Sequence, residues 1–374
     1  MTSSKIEFLY LNEQDMIKAG VLDMGKCVKT MEEVFYLLSQ GDCLMGGPLE
    51  NEHGMMLWFP EERRGPRMPV AGPDRRFMSM IAYVGGDFHV CGDKWYGSNI
   101  ENVKRGLPRS ILNLTLNDPD TGQPLAYMSA NLVSAMRTGA VPGVAAKYLA
   151  RQNTETAGIL GAGVISKACL KAIAKTQPQL REIRVYDLIM EKSQAFARQM
   201  SEELGLHVVA VDSLEAAIAD SDLISIATSG HAKVNIKTEW LKPGTVVMLT
   251  GTAQLADECY LNNTVVADNW KMHQAWLSEA AEHPKGIDSI TEWAPTGQLL
   301  KLIHEGRGKH ESVINLGDVV TGKRSARKSD DDIILFVTGG MPVYDVSWGY
   351  KVYKEALAQG IGQKLLLWEQ PHWA

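Results

Sequence analysis

Short apolar runs alternate with amphipathic segments through the middle of the chain. The amphipathic segments have helical spacing, as at residues 167–175 and at residues 213–219, where Ser213 is expected to cap the helix. The apolar runs are rich in branched side chains, which is typical of buried strands, and lie at residues 156–160, 183–186, 206–211, 223–228, 245–249 and 264–268. Strands that alternate with helices predict an α/β fold with a doubly wound parallel sheet.

The first 130 residues have a different pattern. A short strand at residues 8–11 precedes a helix that Asn12 is expected to cap, and a longer helix follows in which Val28, Met31 and Phe35 share one face. Further strand-like segments lie at residues 55–59, 77–84, 110–116 and 124–128. Because turn-forming residues separate the last two segments, the pattern predicts a mostly antiparallel sheet in an α+β domain.

Both ends of the chain are expected to belong to this α+β domain. Residues 131–151 have a helical composition that is interrupted near Gly139 and Pro142, and they lead into the alternating region. Near the other end, residues 333–337 predict a strand and residues 343–359 predict a helix. The predicted division is a discontinuous α+β domain at residues 1–130 plus 331–374 and a nucleotide-binding domain at residues 131–330.

The sequence Gly161-Ala162-Gly163 joins a predicted strand to a predicted helix, as in a dinucleotide-binding βαβ unit. Gly161 would form the tight turn, and Gly163 would let backbone N–H groups approach a pyrophosphate. The helix that begins near Val164 and Ile165 would direct its positive end at the same phosphates. The pattern therefore predicts a Rossmann domain that binds NAD.

Asp187 lies 24 residues beyond Gly163, at the end of the next predicted strand. An acidic residue at about this offset accepts hydrogen bonds from the ribose hydroxyls of the adenosine. Its negative charge would repel a 2′-phosphate, so we predict a preference for NAD(H) over NADP(H). Arg184 and Lys192 lie nearby in sequence and leave the alternative cofactor open.

Composition and charge narrow the function classes. The 374-residue chain is 45% hydrophobic, carries a formal net charge of −6 and lacks a basic patch with interleaved aromatic residues, so nucleic acid is not an expected partner. No apolar run approaches the roughly 20 residues that a membrane-spanning helix needs, and a cytoplasmic location is expected. The five cysteines are scattered and the histidines form no H-E-x-x-H motif, so we predict neither a disulfide framework nor a metal site.

Several sequence segments together resemble the ornithine cyclodeaminase/mu-crystallin family. They appear in family order and lie at residues 80–83, 92–94, 120–126, 134–140, 161–163, 316–322 and 339–346. The A-x-R-T-x-A run from Ala135 to Ala140, ahead of the glycine turn, is the most specific of them. The resemblance implies an NAD(P)-dependent enzyme, usually a homodimer, that acts on amino acids or the matching imines. It also implies that the first domain forms the dimer and supplies the substrate pocket.

The resemblance implies roles for residues that bind substrate. Arg137 matches the arginine that grips the substrate carboxylate, and Lys94 matches a lysine near the reacting carbon. The plainer alternative for both is a solvated surface cation. Met80 falls in the family's M-x-A-Y segment, and a further family arginine upstream of it corresponds to either Arg64 or Arg67.

The resemblance also implies cofactor contacts outside the glycine turn. Thr138 and Thr228 match positions near the nicotinamide and the phosphates, and Ser229 and Gly251 belong to the same predicted strand ends. Together with Ala162, Val164, Ile165 and Asp187, these residues complete the expected cofactor site.

One position departs from the ornithine cyclodeaminase pattern. Thr252 stands where that enzyme has an aspartate that handles the amine proton, and Asp257 lies several residues further on. A threonine hydroxyl cannot act as a base in place of a carboxylate. We therefore predict an amino-acid dehydrogenase or imine reductase, and the alternatives are a cyclodeaminase that recycles its NAD and a non-catalytic NAD(P)H-binding protein.

Overall fold

The chain folds into two units, each built around its own sheet. The computed structural model describes residues 4–228 and 234–373. The α+β unit consists of Met1–Asp23, Gly41–Ser134 and Met341–Ala374, and the parallel-sheet unit consists of Met24–Gln40 and Ala135–Gly340.

The strands, numbered in chain order, are β1 (Ile6–Leu11), β2 (Cys43–Met45), β3 (Met55–Trp58), β4 (Arg76–Val84), β5 (Val90–Ser98), β6 (Ser110–Asn117), β7 (Pro124–Ser129), β8 (Thr156–Leu160), β9 (Glu182–Tyr186), β10 (His207–Ala210), β11 (Leu223–Ile226), β12 (Val234–Asn235), β13 (Val246–Leu249), β14 (Ala253–Gln254), β15 (Thr264–Ala267), β16 (Ile314–Asn315), β17 (Ile334–Val337) and β18 (Gln363–Trp368). The helices are α1 (Glu13–Lys18), α2 (Met24–Gln40), α3 (Asn131–Leu149), α4 (Val164–Thr176), α5 (Met190–Leu204), α6 (Leu214–Ile218), α7 (Asp257–Asn262), α8 (Trp270–Glu282), α9 (Asp288–Thr291), α10 (Gly297–His304), α11 (Leu316–Val320) and α12 (Pro342–Gln359).

The second unit is organised around a parallel sheet with the strand order β10-β9-β8-β11-β13-β17-β15-β16. Every pairing in this sheet is parallel. Strands β11, β13 and β17 are buried along their whole length, as expected for a sheet covered by helices on both faces. The chain reverses direction across the sheet between β8 and β11, so the switch point where dinucleotides bind lies at the carboxyl ends of these two strands. The predicted doubly wound fold is confirmed.

The first unit is organised around a mixed sheet with the order β18-β1-β7-β6-β5-β4-β2, and β3 also pairs with β4. All its pairings are antiparallel except that of β1 with β7. Helix α12 packs on one face through close backbone approach. A Cβ on Gly92 would lie 2.8 Å from Val346, and a Cβ on Gly349 would lie 2.2 Å from Leu114. These glycines bring the helix down onto the sheet.

The predicted interruption near Gly139 and Pro142 is wrong, because α3 runs unbroken through both residues. A Cβ on Gly139 would lie 2.3 Å from the carbonyl carbon of Ala168, and one on Gly143 would lie 2.7 Å from the Cβ of Ala172. The small residues therefore let α3 pack tightly against α4. This tertiary packing outweighs the hydrogen bond that Pro142 removes from the helix.

The predicted domain boundaries also need correction. Strand β17, which the sequence placed in the tail of the α+β domain, lies between β13 and β15 in the parallel sheet. Helix α2 belongs to the same unit, where Ser39 Oγ donates a 2.8 Å hydrogen bond to Asp318. A short apolar run does not specify which sheet it joins, so only the pairing itself places β17.

Candidate active site

The glycine turn between β8 and α4 has the geometry of a phosphate-binding loop. Gly161 adopts φ +96°, its N–H donates to the carbonyl of Tyr186 at 2.8 Å, and a Cβ on it would lie 3.0 Å from the carbonyl oxygen of Ala227. Gly163 is the N-cap of α4, and the space where its Cβ would project is open. The first-turn N–H groups of a helix lack partners within the helix, so this end of α4 is suited to an anion.

Asp187 holds the glycine turn from the next strand. One carboxylate oxygen accepts a hydrogen bond from the N–H of Ala162 at 2.9 Å, and the other accepts one from Ile189 at 3.1 Å. Each oxygen keeps a further lone pair, so the carboxylate retains capacity for ribose hydroxyls. Arg184 is engaged elsewhere, since its Nε donates to Glu182 at 2.8 Å and its Nη1 donates to the carbonyl of Ala219.

Thr228 and Gly251 follow the carboxyl ends of β11 and β13, as predicted. The N–H of Gly251 donates to the carbonyl of Ile226 at 2.8 Å, and a Cβ on Gly251 would lie 2.7 Å from the carbonyl oxygen of Thr228. Only glycine permits this close approach of the two strand ends. Ser229 lies outside the described residues.

Asp257 is the first carboxylate residue after Thr252 in the sequence, and its side chain is bound to other residues. It accepts hydrogen bonds of 2.6 Å from Arg307 and from Gln298. The hydrogen bond from Arg307, the largest influence, lowers the pKa of this carboxyl group. A carboxylate in a salt bridge with a lowered pKa is a poor base, so Asp257 does not restore what Thr252 lacks.

Arg137 is buried on α3, with 7% of its surface exposed. A Cβ on Gly340 would lie 2.9 Å from Nη1 of Arg137, so the guanidinium rests on the backbone of the turn that follows β17. Gly340 has φ +72°, a conformation that favours glycine. The alternative of a solvated surface arginine is therefore wrong. Thr138, the next residue, is partly buried.

A buried carboxylate that the sequence analysis missed stabilises the same turn. Asp268 follows β15, and its Oδ2 accepts hydrogen bonds from the hydroxyl of Thr338 at 2.8 Å and from the N–H of Gly339 at 3.1 Å. Its Oδ1 lies 2.7 Å from Nε2 of His273. Burial alone would raise the pKa of Asp268, but the electrostatic interaction with His273 and these hydrogen bonds outweigh it and lower the pKa. The signal for Asp268 in the sequence was an aspartate directly after an apolar strand.

Lys94 lies on β5 in the α+β unit with only 2% of its surface exposed. Its Nζ donates a 2.8 Å hydrogen bond to Asp345 Oδ2 at the start of α12 and lies 5.7 Å from the ring centroid of Tyr96. Met80 is its register partner on β4 and is also buried. The surface-charge alternative is wrong for Lys94 as well. Asp345 was not predicted from the sequence, where its only signal is a carboxylate among the apolar residues of α12.

Arg64 and Arg67 lie in the exposed segment between β3 and β4, and both side chains are exposed. Their role in substrate binding stays a prediction. The arginine that the strand register places on the Lys94 face is Arg76, the first residue of β4, because positions 76, 78 and 80 share one side of the strand. Arg76 was not predicted from the sequence.

The chain matches the model of a known protein family. The family model described as "Ornithine cyclodeaminase/mu-crystallin family" matches residues 21–360. The chain belongs to this family. The predicted membership is thereby confirmed.

The family includes relatives of nearly the same length. The chain is 28% identical over 366 residues to N-((2S)-2-amino-2-carboxyethyl)-L-glutamate dehydrogenase of Staphylococcus aureus, an alignment that covers 97% of this chain and 99% of the relative. It is 25% identical to alanine dehydrogenase of Archaeoglobus fulgidus over 96% and 98% of the two chains. Among solved structures, Thermococcus litoralis Δ1-pyrroline-2-carboxylate reductase in complex with NADH and L-proline is 26% identical, with a TM-score of 0.77 over 95% and 99% of the two chains.

Two further findings concern the described residues only. Within residues 4–228 and 234–373, no helix is both long and apolar enough to cross a membrane. Within the same ranges, no group of three or more histidine, cysteine, aspartate or glutamate side chains is arranged to hold a metal ion. The cytoplasmic location stays a prediction.

Proposed function

We propose that this protein is an NAD(H)-dependent amino-acid dehydrogenase or imine reductase. The observation that carries the proposal is the buried Lys94–Asp345 pair on a sheet face, in a chain whose other unit carries the Gly161-Ala162-Gly163 turn. A buried ion pair is costly to build, which favours a functional role over a purely structural one. The named relatives, a dehydrogenase of a glutamate derivative, an alanine dehydrogenase and a reductase bound to NADH and L-proline, support this reaction class.

The residues of the parallel-sheet unit fit NAD(H). The N–H groups at the start of α4 suit the pyrophosphate, the open side of Gly163 leaves room for it, and Asp187 suits the adenosine ribose. When bound, the nicotinamide accepts or donates the hydride of the reaction. Because Arg184 is engaged with Glu182 and a backbone carbonyl, it does not favour a 2′-phosphate. We therefore retain NAD(H) as the preferred cofactor.

Two cations are proposed to handle the substrate. Arg137 would bind its carboxylate, because a buried guanidinium can offer two parallel N–H donors to the two oxygens. Lys94 would hold or move a proton at Nζ, next to the amine or imine nitrogen, either directly or through a water molecule. Asp345 fixes the position of Nζ through its 2.8 Å hydrogen bond and is therefore a positioning residue.

Net oxidation or reduction is favoured over cyclodeamination. The cyclodeaminase pattern needs a carboxylate at the position of Thr252, and the carboxylate of Asp257 is bound to Arg307 and Gln298. The chain thus offers no base at that position for the release of ammonia by ring closure. Thr252 and Asp257 both lie among the residues that the structure describes.

A homodimer is proposed from the outer face of the mixed sheet. The side of this sheet opposite to α12 leaves large apolar side chains exposed, including Ile81 (51%), Trp95 (40%), Ile111 (50%) and Tyr127 (40%). Exposed apolar patches of this kind on a regular sheet mark protein interfaces. The expected occupant is a second copy of the chain, as the family resemblance implies. Light scattering should give a dimer mass for the wild type and a monomer mass for the Ile81→Glu/Ile111→Glu variant; a monomeric wild type would contradict the proposal.

The reaction class is tested by nicotinamide absorbance on the purified protein. NAD is supplied with a panel of L-amino acids, and NADH is supplied with α-keto acids plus amines for the reverse direction. We expect a net change in NADH with at least one substrate. Ammonia release from ornithine or lysine that depends on NAD without net NADH change would instead establish a cyclodeaminase. NADH binding with no turnover of any kind would establish a non-catalytic binding protein.

A further inference from the structure

A cationic cluster lies beside Lys94 in the α+β unit and has no role in the proposed hydride transfer. Its centre is Arg76 at the start of β4, whose Nη1 pairs with Asp74. Asp74 also accepts hydrogen bonds from Arg109 and from the hydroxyl of Ser98. Two arginines thus share one carboxylate, and the cluster keeps an excess of positive charge.

Strand register places Arg76 on the same sheet face as Lys94. Arg76 pairs with Ser98, Met80 pairs with Lys94, and residues two apart along a strand share a side. The ring of Tyr96 lies between the two positions along β5: its centroid is 5.7 Å from Nζ of Lys94 and 5.9 Å from Cζ of Arg76. Since both charges lie within 6 Å of one ring centroid, they are at most about 12 Å apart.

The guanidinium of Arg76 has donors that its protein partners do not use fully. Nη1 is taken by Asp74, but Nη2 makes only a 3.4 Å contact with the hydroxyl of Tyr96. Nε is buried and has no hydrogen-bond partner among the described residues. A buried donor without a partner carries a free-energy cost that a bound acceptor would remove. Because Nε and Nη2 form one edge of the planar group, a carboxylate could accept from both after a small rearrangement.

Aromatic rings hold the guanidinium in place. The ring centroid of Trp58 on β3 lies 5.2 Å from Cζ of Arg76, in addition to the ring of Tyr96. The side chain is 22% exposed, so it is neither free in solvent nor sealed in the core. A guanidinium that is packed against rings and fixed by one carboxylate is pre-organised to bind a planar anion.

We propose that Arg76 recognises a second carboxylate, at the side-chain end of the substrate, and that the preferred substrate is an acidic amino acid or its imine. This inference rests on the proposed function, with the reacting carbon near Lys94. The separation of at most about 12 Å between the two cations suits a substrate whose side chain is a few carbons long, once a contact of about 3 Å at each end is allowed for. A neutral side chain would leave the buried donor of Arg76 unpaired.

The wild-type protein tests the inference first, in two independent ways. Steady-state assays compare L-glutamate with L-glutamine and L-norvaline, and the corresponding α-keto acids in reverse. Calorimetry compares glutarate with valerate as unreactive ligands of the NADH-saturated protein. We expect acidic substrates to be favoured at least about 100-fold in kcat/KM, because a site built to bind a polar group discriminates strongly against its absence. We also expect glutarate to bind more tightly than valerate by a similar factor.

Variants then test whether Arg76 is responsible for the preference for acidic substrates. Arg76→Met should lower kcat/KM for the acidic substrate at least about 100-fold, mainly through KM, and change that for a neutral substrate less than about 3-fold. Arg109→Met is the matched control, because it removes the other arginine bound to Asp74, and it should leave the preference in place. Arg76→Lys keeps the positive charge but lacks the paired N–H donors of a guanidinium. It should give an intermediate preference for acidic substrates.

The inference is overturned if the wild type prefers neutral substrates and binds valerate as tightly as glutarate. An equal loss for acidic and neutral substrates in Arg76→Met, or the same loss in Arg109→Met, would also overturn it. Failure of the proposed function is a separate result: no NADH change with any substrate. In that case the glutarate and valerate measurement still decides whether Arg76 binds a carboxylate.

Discussion

The candidate binding sites of the two units consist of different chemical groups. In the parallel-sheet unit, the glycine turn presents backbone N–H groups and open space, and Asp187 supports it from the neighbouring strand. In the α+β unit, the Lys94–Asp345 pair and Arg76 present charged side chains from separate elements. Backbone geometry can serve any nucleotide of the same shape, whereas the placement of individual charges selects one substrate.

The difference also separates stability from function. A glycine turn adds little cost to the fold, because each glycine occupies a conformation that it adopts readily. Removing one partner of a buried ion pair costs free energy, because the remaining charge has lost its hydration and its compensating charge. Substitution of Gly163 should therefore affect cofactor binding with little effect on stability, whereas substitutions in the ion pair should affect both stability and catalysis.

Among variants of the α+β unit, the largest expected effect is that of Lys94→Met on turnover. Loss of the group that manages the proton should lower kcat/KM by about 10²–10⁴-fold, while the Kd for NADH changes less than about 3-fold. Steady-state kinetics and fluorescence titration measure the two quantities. Lys104→Met is the control, because Lys104 is an exposed lysine paired with Glu101 on the surface. An active Lys94→Met variant would remove Lys94 from the mechanism.

The next largest effect is the contribution of the buried Lys94–Asp345 pair to the stability of the protein. Asp345→Leu leaves the charge of Lys94 buried without its partner and should lower the free energy of unfolding by about 3–5 kcal/mol. The double variant Lys94→Met/Asp345→Leu removes both charges and should recover most of this loss without recovering activity. Urea unfolding measures the series. A double variant as unstable as Asp345→Leu would show that packing, and not the charge, is responsible.

Asp222 is a buried carboxylate of the parallel-sheet unit and directly precedes β11. It binds Arg151 at 2.7 Å and Lys242 at 2.8 Å, and it accepts from the N–H of Glu155 and of Thr156. Burial acts to raise the pKa of Asp222, but these hydrogen bonds, that of Lys242 first, outweigh burial and hold the pKa far below its usual range.

Asp222→Asn should lower the free energy of unfolding by about 2 kcal/mol at pH 7 with little change in kcat. A lowered pKa in the folded state means that the contribution is complete above the unfolded pKa of about 3.9 and is lost as the pH falls below it. Denaturant unfolding at pH 7, 5 and 3 should show a constant difference between wild type and variant down to about pH 5, and a smaller one at pH 3. A difference that grows on acidification would contradict the assignment.

The smallest effect is expected for Gly163→Ala. The new methyl group enters open space at φ −90°, so the free energy of unfolding should change by less than about 1 kcal/mol. The same methyl group obstructs the approach of the pyrophosphate and should weaken NADH binding at least about 10-fold. NADH titration and thermal unfolding measure the two effects. Unchanged NADH affinity would mean that the cofactor does not use this turn.

The contrast between the units also explains what the sequence could predict. The glycine turn, its flanking strand and helix, and Asp187 are local in sequence, so spacing alone locates them. Strand β5 carries Lys94 but reads as Val-Cys-Gly-Asp-Lys-Trp-Tyr-Gly-Ser, which lacks a clear strand pattern and was not predicted. Its conformation comes from pairing with β4 and β6.

Asp345 and Arg76 could not be assigned from spacing for a related reason. Asp345 lies 251 residues from Lys94, and only the packing of α12 against the sheet brings the two together. Arg76 is close in sequence to Arg64 and Arg67, and only the strand register shows that it shares the face of Lys94. The family resemblance supplied Lys94 and Arg137, whose burial the structure then showed.

The central claim is that cofactor binding and substrate chemistry depend on different residues, and Arg137→Ala tests it most directly. Arg137 lies in the same unit as the glycine turn but is assigned to the substrate carboxylate. NADH titration and turnover of the best substrate are measured on one preparation of this variant and on the wild type. The account predicts nearly unchanged NADH affinity with turnover abolished. Normal turnover, or a loss of NADH affinity as large as the loss of turnover, would contradict it.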